Sequence, residues 1–149
     1  MTIHKMPCSV HLFLFAGDEV LLSQRQNTGY EDGNFSVVAG HVEQGETVLA
    51  AMIREAKEEA GIEIELPDLQ VVGVMHRRKP QERIDCFLTA TRWSGEVCNT
   101  EPAKCSYLGW FDLADLPESM VPYVRAALET YQKGEFFSTF GWERGAGEV

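Results

Sequence analysis

Thr47-Val48-Leu49-Ala50-Ala51-Met52-Ile53-Arg54-Glu55-Ala56-Lys57-Glu58-Glu59-Ala60-Gly61 is the stretch that decides how this chain is organised. Leu49, Met52, Ile53, Ala56 and Ala60 recur at spacings of three and four, the period of one helix face. Gly61 falls where a left-handed residue ends a helix, so the spacing predicts a helix over 47–60. At about 100° per residue, Glu55, Glu58 and Glu59 share one arc of roughly 100° beside the apolar stripe. Like charges three and four positions apart destabilise a bare helix by about 0.2–0.5 kcal/mol per pair, so local stability gives no reason to group them. A divalent cation does: Mg²⁺ prefers carboxylate, carbonyl and water oxygens and is held jointly by acidic side chains and substrate phosphates. Arg54, one turn before Glu58, is suited to fix a carboxylate rotamer with its planar fork. Just upstream, the loop from Gly40 to Glu46 brings two glycines and two carboxylates near the helix start, and Gly40 lets a backbone oxygen approach a metal closely.

Working outward, Val10 to Ala16 and Glu19 to Arg25 read as strands joined by a tight hairpin at Gly17-Asp18. Phe35 to Ala39 reads as a short strand after a Gly- and Asn-containing loop. Glu63 to Leu66, Gln70 to Met75, Ile84 to Thr91 and Ser106 to Phe111 lean to strand, and Tyr123, Ala126, Ala127, Leu128 and Tyr131 mark a second helix stopping near Gly134. Phe136, Phe137, Phe140 and Trp142 suggest that the start of the tail docks, with fraying expected from about residue 143. No repeat or linker divides the 149 residues, which predicts one α/β domain over 1–149.

Thirteen Lys plus Arg against 23 Asp plus Glu give a formal net charge of −10. That balance disfavours sequence-independent attraction to nucleic acid or to anionic membranes, and no nucleic-acid or membrane partner is expected. A polyphosphate ligand then needs a local basic site or bound cations. Val10 to Ala16 is the most apolar early stretch, far shorter than the roughly twenty residues that span a bilayer. Cys8, Cys86, Cys98 and Cys105 form no metal-like spacing, so reduced thiols and a cytoplasmic location are expected.

In order, Gly40, five residues, Glu46, seven residues and then Arg54-Glu55-Ala56-Lys57-Glu58-Glu59-Ala60-Gly61-Ile62 resemble the 23-residue signature of the Nudix hydrolases. Gly40, Glu46, Arg54, Glu55, Glu58, Glu59 and Gly61 match all seven invariant positions, a coincidence on the order of one in a million at ordinary residue frequencies. The departures are Ala56 at one aliphatic position and Val38-Ala39-Gly40 where many members have Pro-Gly-Gly. The resemblance implies the family's αβα sandwich around a mixed β-sheet and a phosphoanhydride hydrolase dependent on Mg²⁺, with Mn²⁺ as a substitute. It implies that Gly40, Glu55, Glu58 and Glu59 hold metal and that Arg54, Glu55 and Glu58 are catalytic. Glu55 is a ligand or the base that deprotonates water, Arg54 orients the acids, and Glu46 fixes the loop.

Arg25 resembles an arginine that reaches substrate phosphate in this family, and Glu101-Pro102-Ala103-Lys104-Cys105 is similar to a segment of MutT-type nucleoside triphosphate pyrophosphohydrolases. Glu101 then adds a carboxylate from outside the helix, and Cys105 is expected to be a packing residue. Trp110 and Phe35 are candidates for stacking on a base, though aromatic strand residues are more often core. The expectation is a (d)NTP, modified ones included, cleaved to monophosphate and pyrophosphate. The alternatives are ADP-ribose, a nucleotide sugar or a dinucleoside polyphosphate as substrate, or a nucleotide-sensing module without turnover. Monomer and homodimer both stay open, as does the identity of the general base. Arg77, Arg78, Lys79 and Arg83 put four cations into seven positions, read either as a solvated hairpin tip or as an edge that steers phosphate or meets a partner.

Overall fold

The apolar run Val10 to Ala16 serves two sheets. In the computed structural model, which describes residues 1–142, β1 (Cys8–Leu12) lies in a five-stranded sheet and β2 (Phe15–Ala16) in a four-stranded one. The chain changes partner between them: the Phe13 N–H donates to the Leu88 carbonyl and the Leu21 N–H to that of Leu14. β3 (Glu19–Arg25) completes the expected hairpin, with Gly17 at φ 60°. The run Phe35 to Ala39 divides in the same way into β4 (Phe35–Ser36), on β3, and β5 (Ala39–His41), on β1. Changes of pairing partner leave no mark in apolar periodicity, so each run reads as one strand in the sequence.

β6 (Leu69–Arg77) and β7 (Arg83–Ala90) form a long antiparallel hairpin, and β8 (Cys105–Asp112) pairs with β3. The tail docks as β9 (Phe137–Phe140), parallel to β6, and the Trp142 indole donates to the His76 carbonyl at 3.0 Å. The five-stranded sheet runs β5-β1-β7-β6-β9 with parallel and antiparallel neighbours, the mixed sheet that was expected. Glu63 to Leu66 is not a strand: Glu63 makes a single bridge to Ser94, and Pro67 sits in a 3-10 turn over Leu66–Asp68. Pro lacks the N–H that a ladder needs. Fraying from residue 143 lies outside the described residues.

The first helix, α1 (Val48–Ala60), has both expected ends. The Thr47 hydroxyl accepts from the Ala50 N–H at 3.0 Å, and Gly61 closes it at φ 68°. A Cβ at Gly61 would also stand 2.9 Å from Cys98 Sγ, so packing and conformation both demand glycine there. The second, α2 (Pro122–Gln132), begins with proline at its first turn, where the missing N–H is not needed.

The helices cover opposite faces of the sheet, and strand alternation sorts the core. Val10, Leu12, Cys86 and Leu88 pack with Met52 and Ala56 of α1, while Phe13 and Phe87 pack with Val124 and Leu128 of α2. Strands buried on both faces read as continuous apolar runs, which is how Val10 to Ala16 reads. All four cysteines are free. Among the described residues no helix is long and apolar enough to cross a membrane.

Candidate active site

The sequence from Gly40 to Gly61 folds so that β5 ends beside the acidic face of α1. A Cβ on Gly40 would stand 2.2 Å from the Glu55 carboxyl carbon, so only glycine lets this backbone lie against that side chain. Glu55 is buried although it is charged, and Arg54 compensates it: Arg54 Nη1 donates to Glu55 Oε1 at 2.7 Å. The same guanidinium donates through Nε and Nη2 to the two Glu46 oxygens at 2.8 and 3.0 Å, through Nη2 to the His41 carbonyl at 3.0 Å, and through Nη1 to Glu58 Oε2 at 3.5 Å. Arg54 is therefore a rigid fork joining the loop before the helix to two of its glutamates. Its hydrogen bond to Glu46, helped by the Glu43 N–H, holds the Glu46 carboxyl down to about 2. Those bonds place Glu46 as the residue that fixes the loop.

Glu59 faces the other side of the acidic arc, and its Oε1 accepts from the Ala39 N–H at 3.2 Å. Burial pushes its pKa well above the usual carboxylate range, and the adjacent Glu55 carboxylate pushes the same way. Two carboxyl groups packed together out of water are an arrangement that a divalent cation stabilises. Glu55 and Glu59 are thus brought together beside Gly40, whereas the Glu58 side chain is half exposed and drawn toward Arg54. Among the described residues no three acidic, His or Cys side chains stand at ligand spacing. The donor set is nonetheless all oxygen, the chemistry that Mg²⁺ or Mn²⁺ takes.

Glu101 arrives by a tertiary route. The Cys98 N–H donates to the Ala60 carbonyl at 3.0 Å, the Thr100 N–H to that of Glu59 at 3.5 Å, and the Thr100 hydroxyl to that of Glu58. A helix leaves its last carbonyls without partners, and the segment 98–100 satisfies them while carrying Glu101 into range of Glu59.

A cleft of about 530 Å³ opens from Gly40 and Glu59 between the two sheets. Glu59 and Glu101 line it together with four cations, Arg25, Arg77, Arg83 and Lys104. Arg25 is held by two bonds, Nε to the Tyr30 carbonyl at 2.7 Å and Nη2 to the Thr28 hydroxyl at 3.0 Å, which leaves Nη1 without a partner among the described residues. On the floor, His11 Nδ1 lies 3.3 Å from the Cys86 carbonyl and Nε2 lies 2.8 Å from the Tyr123 hydroxyl. A carbonyl only accepts, so Nδ1 carries the proton and Tyr123 donates to Nε2. Burial drives the His11 pKa down to about 4, which keeps the ring neutral.

The basic segment divides. Arg77 is 2% exposed and makes a two-pronged ion pair with the fully buried Asp85, at 2.6 and 3.2 Å, whereas Arg78 and Lys79 are exposed. Neither a wholly solvated tip nor a wholly steering edge describes it. Trp110 stacks against Trp93 at 6.3 Å and Phe35 meets Phe111 at 5.0 Å, and neither lines the cleft, whereas Tyr30 does. Cys105 lines the cleft half-buried, and burial raises its thiol pKa, which argues against a nucleophile. Sequence reasoning missed Tyr30, Lys104 and Tyr123 as cleft residues; His11 had left one signal, a polar interruption of an apolar run.

The family model for the NUDIX domain matches residues 6–131. The chain is similar to an NAD-capped RNA hydrolase NudC from Citrobacter koseri, with 34% identity over 111 residues, 74% of this chain and 40% of that protein. It spans about 40% of the length of the curated relatives of that name. Among solved structures it resembles a MutT NUDIX hydrolase from Burkholderia pseudomallei, with TM-score 0.76 and 28% identity over 85% of this chain and 98% of that one. A MutT protein from Methanosarcina mazei shares the fold, with TM-score 0.74 at 19% identity over 89% and 97% of the two chains.

Proposed function

The chain belongs to the Nudix hydrolase family, and from that premise we propose that it hydrolyses nucleoside or deoxynucleoside triphosphates, modified ones included, to monophosphate and pyrophosphate with a divalent cation, Mg²⁺ or Mn²⁺. The observation that supports this most is the lining of the cleft, in which the acids Glu59 and Glu101 share the walls with the cations Arg25, Arg77, Arg83 and Lys104. A polyanionic phosphate chain with its cation suits a lining of both signs; a neutral ligand gains nothing from it.

In this reading the Gly40 carbonyl, Glu55, Glu58 and Glu59 hold the cation, and Glu101 adds a carboxylate from the far side. When bound, the cation polarises a phosphoryl group and makes water more acidic. Arg54 keeps the carboxylates of Glu55 and Glu58 aimed, and Glu46 keeps Arg54 in place. Arg25 uses its free Nη1 on a substrate phosphate, already oriented by Tyr30 and Thr28. Water oxygen bonds to phosphorus, the bridging phosphorus–oxygen bond breaks, pyrophosphate leaves, and the proton of water passes to a carboxylate. Glu55 is either that acceptor or a ligand throughout. Free thiols fit the proposed cytoplasmic location.

A second reading has one specific support, the 34% identity to NAD-capped RNA hydrolases: the bond cut would be the pyrophosphate of a dinucleotide. A net charge of −10 favours a free dinucleotide over an RNA body in that case. Phosphorus NMR separates the readings, with Mg²⁺ and a panel of dNTPs, modified dNTPs, NAD, ADP-ribose and diadenosine polyphosphates. Pyrophosphate with a monophosphate supports the first; two monophosphates from NAD with intact triphosphates support the second. Binding of any compound without turnover favours the sensing module.

A further inference from the structure

Arg77 and Arg83 are cross-strand partners in the β6/β7 hairpin, and both line the cleft. Like charges facing each other across a ladder are destabilising, and the fold resolves only one of the two. Arg77 is neutralised by Asp85 and also donates to the Lys79 carbonyl at 2.8 Å. Arg83 has no carboxylate within ion-pair distance among the described residues. Its Nη1 makes two long contacts, 3.5 Å to Ser9 Oγ and 3.4 Å to His41 Nε2. Its Nε is out of reach of solvent and has no hydrogen-bond partner.

A guanidinium has donors only, and a buried donor without an acceptor is costly. The outer nitrogen Nη2 also makes no hydrogen bond among the described residues but is not sealed from solvent, and on a cleft-lining arginine such a nitrogen marks the place of an acceptor supplied by a ligand. The position of Arg83 narrows the ligand. His41, its neighbour, follows Gly40, so the fork stands next to the acidic groups, where a phosphate chain would have its cation. Arg25 enters the same cleft from the four-stranded sheet, also with a free nitrogen. We infer that Arg83 is a second phosphate-binding arginine of this cleft, taking a phosphoryl oxygen of the substrate on its free Nη2 beside the proposed cation site. The inference rests on the phosphoanhydride reading above.

Calorimetric titration with inorganic pyrophosphate, with Mg²⁺ and separately with EDTA, tests this on wild type, Arg83→Gln, Arg83→Lys and Arg78→Gln. Arg78 carries the same charge on the same hairpin but is exposed beside Trp142, 5.3 Å from the ring centroid, and controls for general electrostatics. Arg83→Gln is expected to weaken binding about tenfold or more, Arg83→Lys to lose less, and Arg78→Gln to stay within about twofold. Arg83→Gln within about twofold of wild type, or an equal loss in Arg78→Gln, overturns the inference. Wild-type protein supplies a test that needs no variant: pyrophosphate should slow phenylglyoxal modification of Arg83, read by peptide mass, and unchanged labelling overturns it. Pyrophosphate binding lost in Arg83→Gln by a protein that hydrolyses nothing would sink the pyrophosphohydrolase reading and leave the anion site standing.

Discussion

The acidic and the basic groups of the cleft are built on opposite plans. The acidic part, apart from Glu101, comes from one continuous stretch, Gly40 to Glu59, in which a helix sets the spacing and Arg54 ties the loop to it. The basic part comes from three separated places, Arg25, the Arg77/Arg83 hairpin and Lys104, joined only when the two sheets close. A site built on one helix is local, and its side chains can be changed without unfolding the protein. A site assembled from several strands shares its polar groups with the core, so function and stability are entangled there.

The sharpest break of that contrast is at Glu58. Glu58→Gln is expected to lower turnover at least about a thousandfold, roughly 4 kcal/mol, with the thermal midpoint nearly unchanged, because the side chain is half exposed and removing its charge relieves repulsion. Steady-state kinetics beside a melting curve checks this, and a midpoint that falls in step with activity would refute the catalytic role. At the basic floor the expectation reverses. Arg77→Met leaves Asp85 buried and unpaired and should destabilise by about 3–5 kcal/mol in urea titration, while the double change with Asp85→Leu recovers most of it. If the single variant is as stable as wild type, the floor is not part of the core.

His11 sharpens the comparison through pH. Its folded pKa of about 4 lies below the ordinary 6.5, chiefly through burial, so the unfolded chain takes up the proton first. Its contribution is complete above pH 6.5 and is lost as pH falls toward 4, at up to about 1.4 kcal/mol per pH unit. Stability against pH for wild type and His11→Gln should diverge in that window alone; parallel curves would refute it. The smallest effect belongs to the local part. Thr47→Ala removes the cap of α1 and should cost about 1 kcal/mol, with kcat little changed.

What was legible follows the same division. Helix α1, its cap, its glycine stop and the acidic face were readable because a helix converts sequence spacing directly into geometry. The hairpin at Gly17 and the docking of the tail were readable from turn chemistry and apolar residues. The splitting of two apolar runs between sheets was not, because an exchange of pairing partner leaves the period of two intact. The basic segment could not be divided in advance: Asp85, which neutralises Arg77, stands eight positions away and reaches it only across the hairpin. Trp110 and Phe35 carry no sign of which side of their strand faces the core.

By itself the sequence determined the acidic helix, the fork at Arg54 and with them the family and its chemistry, since these depend on neighbours within two turns or one loop. Only the tertiary structure decided that Glu101 meets the helix end, that Arg77 is spent on Asp85 while Arg83 keeps a free donor, and that His11 is neutral. Those outcomes depend on burial and on partners far away in the chain, and both come into being only when the sheets and helices pack.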